Sequence, residues 1–566
     1  MENRYRPLLY AAAVVFFLNL GANSIWDANE AFYVETPRQM VETSDYVTPW
    51  FNGQERLNKP VLSYWVVAGM YRVFGVSLIV ERAAIAAAAM VMLIAVWFIA
   101  RAASMRPLAP LLATLGLAAG PRFFMFSRRI FVDMAVTAMM TLTLLFFVLA
   151  ERYPSRRRLF LVLMYVSVGL GVLTKGPVAA AIPLLVFVAY LAVNRELGRL
   201  RDMMIPVGTL IALAIAAPWY VALYQQHGWT YITEFFIGEN VGRFTATIGD
   251  KTRGPFFYLP VLLHDTLPWS LCLPAVVWAW RADRRHIRLP PSLVPSFGGP
   301  GKPDTTHQQE TASLRIRTLL LLWVAIIVVF FSLSQTKQDL YIFPIVAAVA
   351  ALGGDWVARA LAGDVAESWF NATVTVVGVV MFVLGGAVLY LFGGDPLYAI
   401  NGAPAAAMVA MAGGVFIAIL PWRRRYASAV CAVLVVLIAF NWILAVRALP
   451  DFERYKPVVP LSRIIEQRAG PGDVVAHVQV ALPSMVYYLR RHIDILDRET
   501  LTEQLRSDRR VFAVLPADRY DAYKGEFGVP TCIIGRHQTS DFRLRAMLER
   551  LGPSEVLVIT NRCPAL

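Results

Sequence analysis

The sequence predicts a polytopic α-helical membrane protein of about thirteen transmembrane helices, with amphipathic helices in its first loop and a C-terminal α/β domain outside the cytoplasm. Three observations carry this prediction. The 566-residue chain is 57% hydrophobic and only 16% charged, whereas soluble domains sit nearer half apolar and a quarter charged. Its apolar residues fall in runs of about twenty, the length that crosses a bilayer. Beyond Pro450 those runs stop, and short β-rich segments alternate with polar ones.

The runs lie near residues 7–24, 80–100, 107–126, 131–151, 158–175, 177–194, 203–223, 258–280, 317–334, 339–358, 369–393, 402–421 and 427–447. The first follows Arg4 and Arg6 as a signal peptide would. More than ten similar runs come after it, and Gly21-Ala22-Asn23 is a weak cleavage site, so it reads as a retained helix. Residues 61–75 are too short and too close to the next run to cross unaided, and read as a partly embedded helix. With that parity Arg101, Arg106, Arg152, Arg156 to Arg158, Arg281 and Arg423 to Arg425 share the side of the N-terminus, which the excess of basic residues marks as cytoplasmic. The net charge of +14 therefore reflects orientation and does not point to nucleic acid. The opposite face receives the 25–79 loop, the 122–130 turn, the 224–257 loop, the turn at Gln335 to Gln338 and the tail. Residues 1–449 read as the membrane domain and 450–566 as the outer α/β domain.

The first loop is unusual. Its forty-odd residues carry Asp27, Glu30, Glu35, Arg38, Glu42, Asp45, Glu55, Arg56 and Lys59 among aromatics, far more than a tether between spans needs. A second acid, Asp133, enters an otherwise apolar helix, where a carboxylate costs up to about 2.5–3.5 kcal/mol in lipid. It requires either an ion partner, for which Arg128 and Arg129 are candidates, or a watery cavity shared with the first loop. Lys175 in LTKGP stands on the outer side against the charge rule, as a snorkelling lysine or a functional one. The 224–257 loop sets Glu239, Arg243, Lys251 and Arg253 among aromatics, and such cations suit an anionic headgroup.

His264 and Asp265 open the eighth run, and Lys337 with Tyr341 opens the tenth. No HxH or HxxxH spacing occurs, so the sequence indicates no metal site, although a divalent ion is compatible with it. The Gly/Pro-rich stretch 281–315 reads as a flexible linker. Neither a nucleotide-binding fingerprint nor a G-x-S-x-G elbow is present. In the tail, 473–480, 511–516, 531–535 and 555–560 read as strands, with helical segments at 482–491 and 499–507. Cys532 and Cys563 sit beside two of these strands in a compartment that permits disulfides, and are predicted to pair.

Several blocks together carry a resemblance over about the first 350 residues: the first-loop acid with Tyr33, KPVLSYW at Lys59 to Trp65, Arg128 to Asp133, LTKGP, GENVGRF to LPW, and FFSLSQTK to YIFP. Their order and spacing resemble the bacterial C-type glycosyltransferases of the aminoarabinose transferase and protein O-mannosyltransferase superfamily. The resemblance implies a membrane-bound inverting enzyme that takes a sugar from a polyprenyl-phosphate donor on the periplasmic side of a bacterial inner membrane. It implies no cofactor, no nucleic acid and a monomer. It assigns the catalytic acids to Glu30 and Asp133, and the donor phosphate to Lys59, Arg243, Lys337, Tyr341 and Arg128. Tyr33, Tyr64 and His264 are then contacts for the sugar or acceptor. One departure matters: the usual Asp-Glu pair is Asn29-Glu30 here, so Glu30 or Asp27 takes the role of the aspartate, or the acceptor needs no base. The acceptor implied is a lipid, lipid A or another glycolipid, with protein O-glycosylation as the alternative. A transporter or flippase using Asp133 and Lys175 for ion coupling is the rival from another class, although the two halves show no repeat.

Overall fold

The structure is a computed structural model that describes residues 6–27, 29–129, 131–245, 253–286 and 305–563. All thirteen apolar runs form helical elements, but not all form continuous spans. Among the described residues nine helices are long and apolar enough to cross a membrane: Leu78–Ala103, Val132–Arg152, Pro154–Lys175, Ile205–Trp229, Gln308–Leu333, Asp339–Leu361, Glu367–Phe392, Ala403–Arg423 and Tyr426–Tyr455. The run at 258–280 is a bent pair, Pro255–Asp265 and Trp269–Arg285, meeting at 111°, and as one span it makes ten.

The other three runs fall short for local reasons. Helix α1 (Arg6–Val14) gives way to turns before residue 22. Gly120-Pro121 breaks the third run into Ala109–Ala119 and Pro121–Phe126, because proline supplies no backbone N–H to continue the ladder. Val178–Val193 stops at sixteen residues. The expected thirteen spans are thus nine or ten full-length ones and three shorter apolar elements. Most of the expected linker, residues 287–304, lies outside the described residues.

The first loop is an ordered platform. Helix α2 (Asn29–Thr43) leads into a hairpin of β1 (Trp50–Phe51) and β2 (Gln54–Glu55), and α3 (Leu62–Phe74) returns the chain to α4 (Leu78–Ala103). Asn52 and Gly53 turn the hairpin with φ of 53° and 74°, the left-handed pair that a two-residue Asn-Gly turn uses. Trp65 Nε1 donates to Tyr46 O at 2.7 Å, and Trp219 Nε1 to Val47 O at 2.9 Å. These bonds hold the loop against its own helix α3 and against the Ile205–Thr233 helix.

The tail holds a five-stranded sheet of β3 (Val474–Val478), β4 (Asp494–Leu496), β5 (Val511–Pro516), β6 (Cys532–Thr539) and β7 (Ser554–Thr560), in the order β4-β3-β5-β7-β6. Strand β3 runs parallel to β4 and β5, and β7 antiparallel to β5 and β6. Every residue of β3 is buried, which is why it reads as one apolar run. Leu461 and Ile465 of Val458–Glu466 pack with Val475, Phe512 and Val514 on one face, and Leu501 and Leu505 with Val511 and Ala513 on the other. Cys532 and Cys563 are joined in a disulfide with their Cα atoms 5.5 Å apart.

The sheet domain rests on the first loop through polar contacts. Ser484 donates to Asp27 from its backbone N and its Oγ, each at 2.7 Å. Asn52 exchanges two 2.8 Å hydrogen bonds with the backbone of Ile493, and Tyr488 accepts from Ile25 N at 2.9 Å.

Candidate active site

A cavity of about 560 Å³ opens between the first loop and the ends of the membrane helices nearest to it. Much of its lining is apolar, including Phe235, Phe244, Phe330, Phe331, Val178, Ile182 and Leu340. The same lining carries Arg56, Lys59, Arg129, Lys175, Asp133, Tyr33 and Tyr341, with the amides of Asn29 and Asn58, and Tyr341 lies against Phe331, their ring centroids 5.1 Å apart. A hydrophobic chain and a charged headgroup therefore find their surfaces side by side.

Each polar liner is positioned by a local feature of the chain. Helix α7 (Phe131–Arg152), after helices α5 (Ala109–Ala119) and α6 (Pro121–Phe126), presents Val132, Asp133, Val136 and Met140 to the cavity, one face at helical spacing. Asp133 lies in its first turn, where the helix dipole favours a carboxylate. Helix α8 (Arg157–Lys175) ends at Gly176 with φ of 91°, a conformation glycine adopts without steric cost. That reversal leaves Lys175 at the rim, ion-paired with Asp133. The Asn-Gly hairpin brings Arg56 back over the Phe32 ring, 3.4 Å from its centroid, a close cation–π contact. Arg129 sits 4.9 Å from the Trp26 ring centroid, and burial, then Arg122, lower its pKa.

Tyr33 stacks on Tyr64 with centroids 5.3 Å apart. Burial pushes both phenols up, so both stay protonated and able to donate. Tyr33 lines the cavity and Tyr64 stands behind it, fully buried.

The expected residues divide. Asp133, Lys59, Tyr33 and Tyr341 line the cavity. Glu30 does not: it is 1% exposed and held by Arg82, whose Nε and Nη2 donate to its two oxygens at 2.7 and 3.0 Å. Trp26 N adds a third bond at 2.6 Å, and Arg82 also donates to the carbonyls of Leu20, Asn23 and Ser24. Adjacent helical residues point about 100° apart, so Asn29 faces the cavity and Glu30 faces the knot. Asp27 turns to the tail domain through Ser484. The structure therefore does not bring the two expected acids into one cavity.

Arg128, expected on phosphate, donates to Val15 O and Asn19 O, each at 3.1 Å, away from the cavity. Lys337 donates its amine to Ser334 O at 2.6 Å and is not a cavity liner, although Ser334 and Gln338 beside it are. His264 Nδ1 lies 2.7 Å from Asp265 Oδ1, in a separate cluster with Arg122 and Asp339. The side chains of Arg243 and Glu239, and all of Lys251, lie outside the described residues. Among the described residues no three of His, Cys, Asp or Glu come together as a metal site would require. Arg56 and Asn58 also line the cavity, and Asn52-Gly53, a strong hairpin signal, points to Arg56.

A family model described as Dolichyl-phosphate-mannose-protein mannosyltransferase matches residues 58–221. An undecaprenyl phosphate-alpha-4-amino-4-deoxy-L-arabinose arabinosyl transferase of Pseudomonas fluorescens is 29% identical over 357 residues, 62% of this chain and 55% of that protein. A protein of that name from Aeromonas salmonicida is 29% identical over 351 residues, 61% and 58% of the two chains. An uncharacterized protein of Aquifex aeolicus is 28% identical over 361 residues, 63% and 64%. The match thus spans less than two thirds of these relatives. In fold, the chain is similar to the crystal structures of ArnT from Cupriavidus metallidurans. The apo state gives a TM-score of 0.78 at 21% identity over 100% of this chain and 99% of that one, and the form bound to undecaprenyl phosphate gives 0.76 at 22% over 98% and 97%.

Proposed function

We propose that this chain, a member of the ArnT-like glycosyltransferase superfamily, transfers a sugar from a polyprenyl phosphate to a phosphate-bearing lipid such as lipid A at the periplasmic face of a bacterial inner membrane. The observation that carries the reading is the cavity itself, whose lining combines Arg56, Lys59, Arg129 and Lys175 with aromatic and aliphatic side chains. The apolar lining takes the first isoprene units of the donor. Arg56, Lys59, Arg129 and the Tyr341 hydroxyl surround its phosphate.

In the reaction the bond between the anomeric carbon and the phosphate oxygen breaks and its electron pair stays on that oxygen, so the leaving phosphate goes from one negative charge to two. Fixed cations stabilise this added charge more in the transition state than in the bound donor, which is what accelerates the step. The acceptor oxygen attacks from the opposite face of the sugar, inverting the anomeric carbon. A neutral hydroxyl would need a base, and the lone carboxylate among the described cavity residues, Asp133, is already paired with Lys175. A phosphate acceptor is already ionised and needs only orientation, the role given to Asp133 and Lys175. Asp133 at a helix end beside a loop, instead of at mid-bilayer, also favours transfer over ion-coupled transport.

The test is mass spectrometry of glycolipids and glycoproteins from a deletion strain. A sugar missing from a phosphorylated lipid, restored by the wild-type gene and not by Lys59→Ala or Asp133→Asn, is the expected result. A sugar missing from proteins would redirect the proposal to protein O-glycosylation, and unchanged glycans would end it.

A further inference from the structure

We propose that the tail domain makes its own contact with the bilayer. Its segment 541–552, DFRLRAMLERLG, lies at the boundary between headgroups and acyl chains, with Leu544, Leu548 and Leu551 on the acyl side and Arg550 beside lipid phosphate. This contact is separate from the cavity and from the reaction proposed there. The short helix Leu544–Leu548 buries Ala546 and Met547, whereas Leu544, Leu548 and Leu551 are 60, 55 and 48% exposed. Leu544 and Leu548 are one turn apart and share a side of the helix. Leu551 N donates to Ala546 O at 3.0 Å, which folds the chain back over the helix end. The apolar clusters on the two faces of the sheet do not include these leucines. Single exposed leucines need no explanation, but three within eight residues mark an interaction surface. The acids of the segment are neutralised within it, Asp541 by Arg543 and Glu549 by Arg545.

The position of the segment identifies its partner. Phe542 packs among Phe392, Tyr398, Phe452 and Tyr455, with ring centroids 6.4, 5.8, 4.7 and 4.9 Å away. Phe392 is the last residue of the Glu367–Phe392 span, and Phe452 and Tyr455 close the Tyr426–Tyr455 span. Tyr398 OH donates to Leu551 O at 2.8 Å and Ser540 Oγ to Leu397 O at 3.0 Å, so the segment is fastened at the level where these spans end. Along the Glu367–Phe392 helix the exposed Val376, Val383 and Tyr390 recur every seven residues, which is one helix face, the face a span turns to lipid. A tyrosine at its end stands where membrane proteins place their interfacial aromatics. The Arg550 guanidinium lies 6.0 Å from the centroid of that Tyr390 ring, so the lipid-facing surface of the span continues into the segment. Its ion pair with Asp395 is long, at 3.8 Å, and a guanidinium has donors enough to bind a phosphate as well. Leucines on one side and an arginine at headgroup level are the means by which an interfacial helix holds a membrane.

The experiment places the photoreactive residue p-benzoylphenylalanine at position 548 of the full-length protein in proteoliposomes of phosphatidylethanolamine and phosphatidylglycerol, and reads its adducts by mass spectrometry. The same probe at position 390 gives the yield of a lipid-facing site. At position 524, where Lys524 is exposed on the tail, it gives that of a surface in water. The expected result is phospholipid adducts at 548 within about threefold of those at 390 and at least about tenfold above those at 524. Leu544→Ser together with Leu551→Ser should lower the yield at 548 by about fivefold, because less apolar surface then holds the segment in the boundary. Both side chains are exposed, so this variant should keep the wild-type melting temperature. Equal yields at 548 and 524 overturn the proposal, as does a yield at 548 that the serine variant leaves unchanged. Adducts joining position 548 to a second copy of the chain in place of lipid also overturn it, since the leucines would then form an interface between copies.

Discussion

Two carboxylate–cation pairs stand where the first loop meets the membrane helices, and they differ in everything but chemistry. Glu30 and Arg82 are 1% and 3% exposed, and Arg82 also satisfies three backbone carbonyls between Leu20 and Ser24. Asp133 and Lys175 form the same kind of pair, but both line a 560 Å³ cavity. The first pair fastens α2 to α4 and to the entry of the loop. The second offers charge to whatever enters. An acid in a membrane protein thus becomes a candidate for chemistry through access to a cavity, and a sealed one is better explained as a fastening.

Removing the cation from each pair would separate the two roles. Arg82→Met leaves a buried carboxylate and three carbonyls without their donor, and a broken buried pair costs about 3–5 kcal/mol. The expected outcome is a protein that no longer survives detergent extraction as a monodisperse species, read by fluorescence-detected size exclusion against temperature. Lys175→Met leaves Asp133 at a cavity that water can enter, where a smaller loss of stability than for Arg82→Met is expected, while sugar transfer falls. If Lys175→Met proves the less stable variant, the division into fastening and working pair is refuted.

Within the working cavity the largest loss should come from Lys59→Ala. Removing one fixed donor from a developing oxyanion costs about 10²–10³-fold in turnover, and the variant should keep the wild-type melting temperature. Lys59→Arg should restore part of the activity. Loss of less than about threefold in turnover would place the phosphate away from Lys59.

Most of the fold was legible because bilayer spans and buried parallel strands each write an apolar run of fixed length. The three shorter runs were overcounted because hydropathy does not register a helix break: Gly120-Pro121 lies inside an apolar stretch that passes as one span. Strand β4 has three residues, too few for an alternation to be seen. At the site, the odd placement of Lys175 and Asp133 was visible in the sequence, but their pairing across 42 positions was not. The choice between Asn29 and Glu30 turned on helical phase. The two are neighbours in sequence, and only the packing of α2 against Arg82 decides which one faces inward. Arg82 gave no signal, as an arginine near a span end reads as an ordinary interfacial anchor.

The smallest expected effect lies where the locked face of the first loop meets the tail. Burial of its carboxylate against that domain pushes Asp27 up to about 6, against the opposing pull of the Ser484 hydrogen bonds and Lys456. Its ordinary value is 3.8, so the assembled form holds the proton more tightly than the separated one. The resulting stabilisation is complete below about pH 4 and is lost as pH rises through about 6. Asp27 as a whole residue is exposed, and solvent screening holds the effect to about 1 kcal/mol. Limited proteolysis of the tail from pH 4.5 to 7.5 should therefore show cleavage accelerating by about fivefold toward neutral pH. Asp27→Asn should flatten that profile without altering the cavity. A profile equally steep in the variant would mean that another group governs the contact.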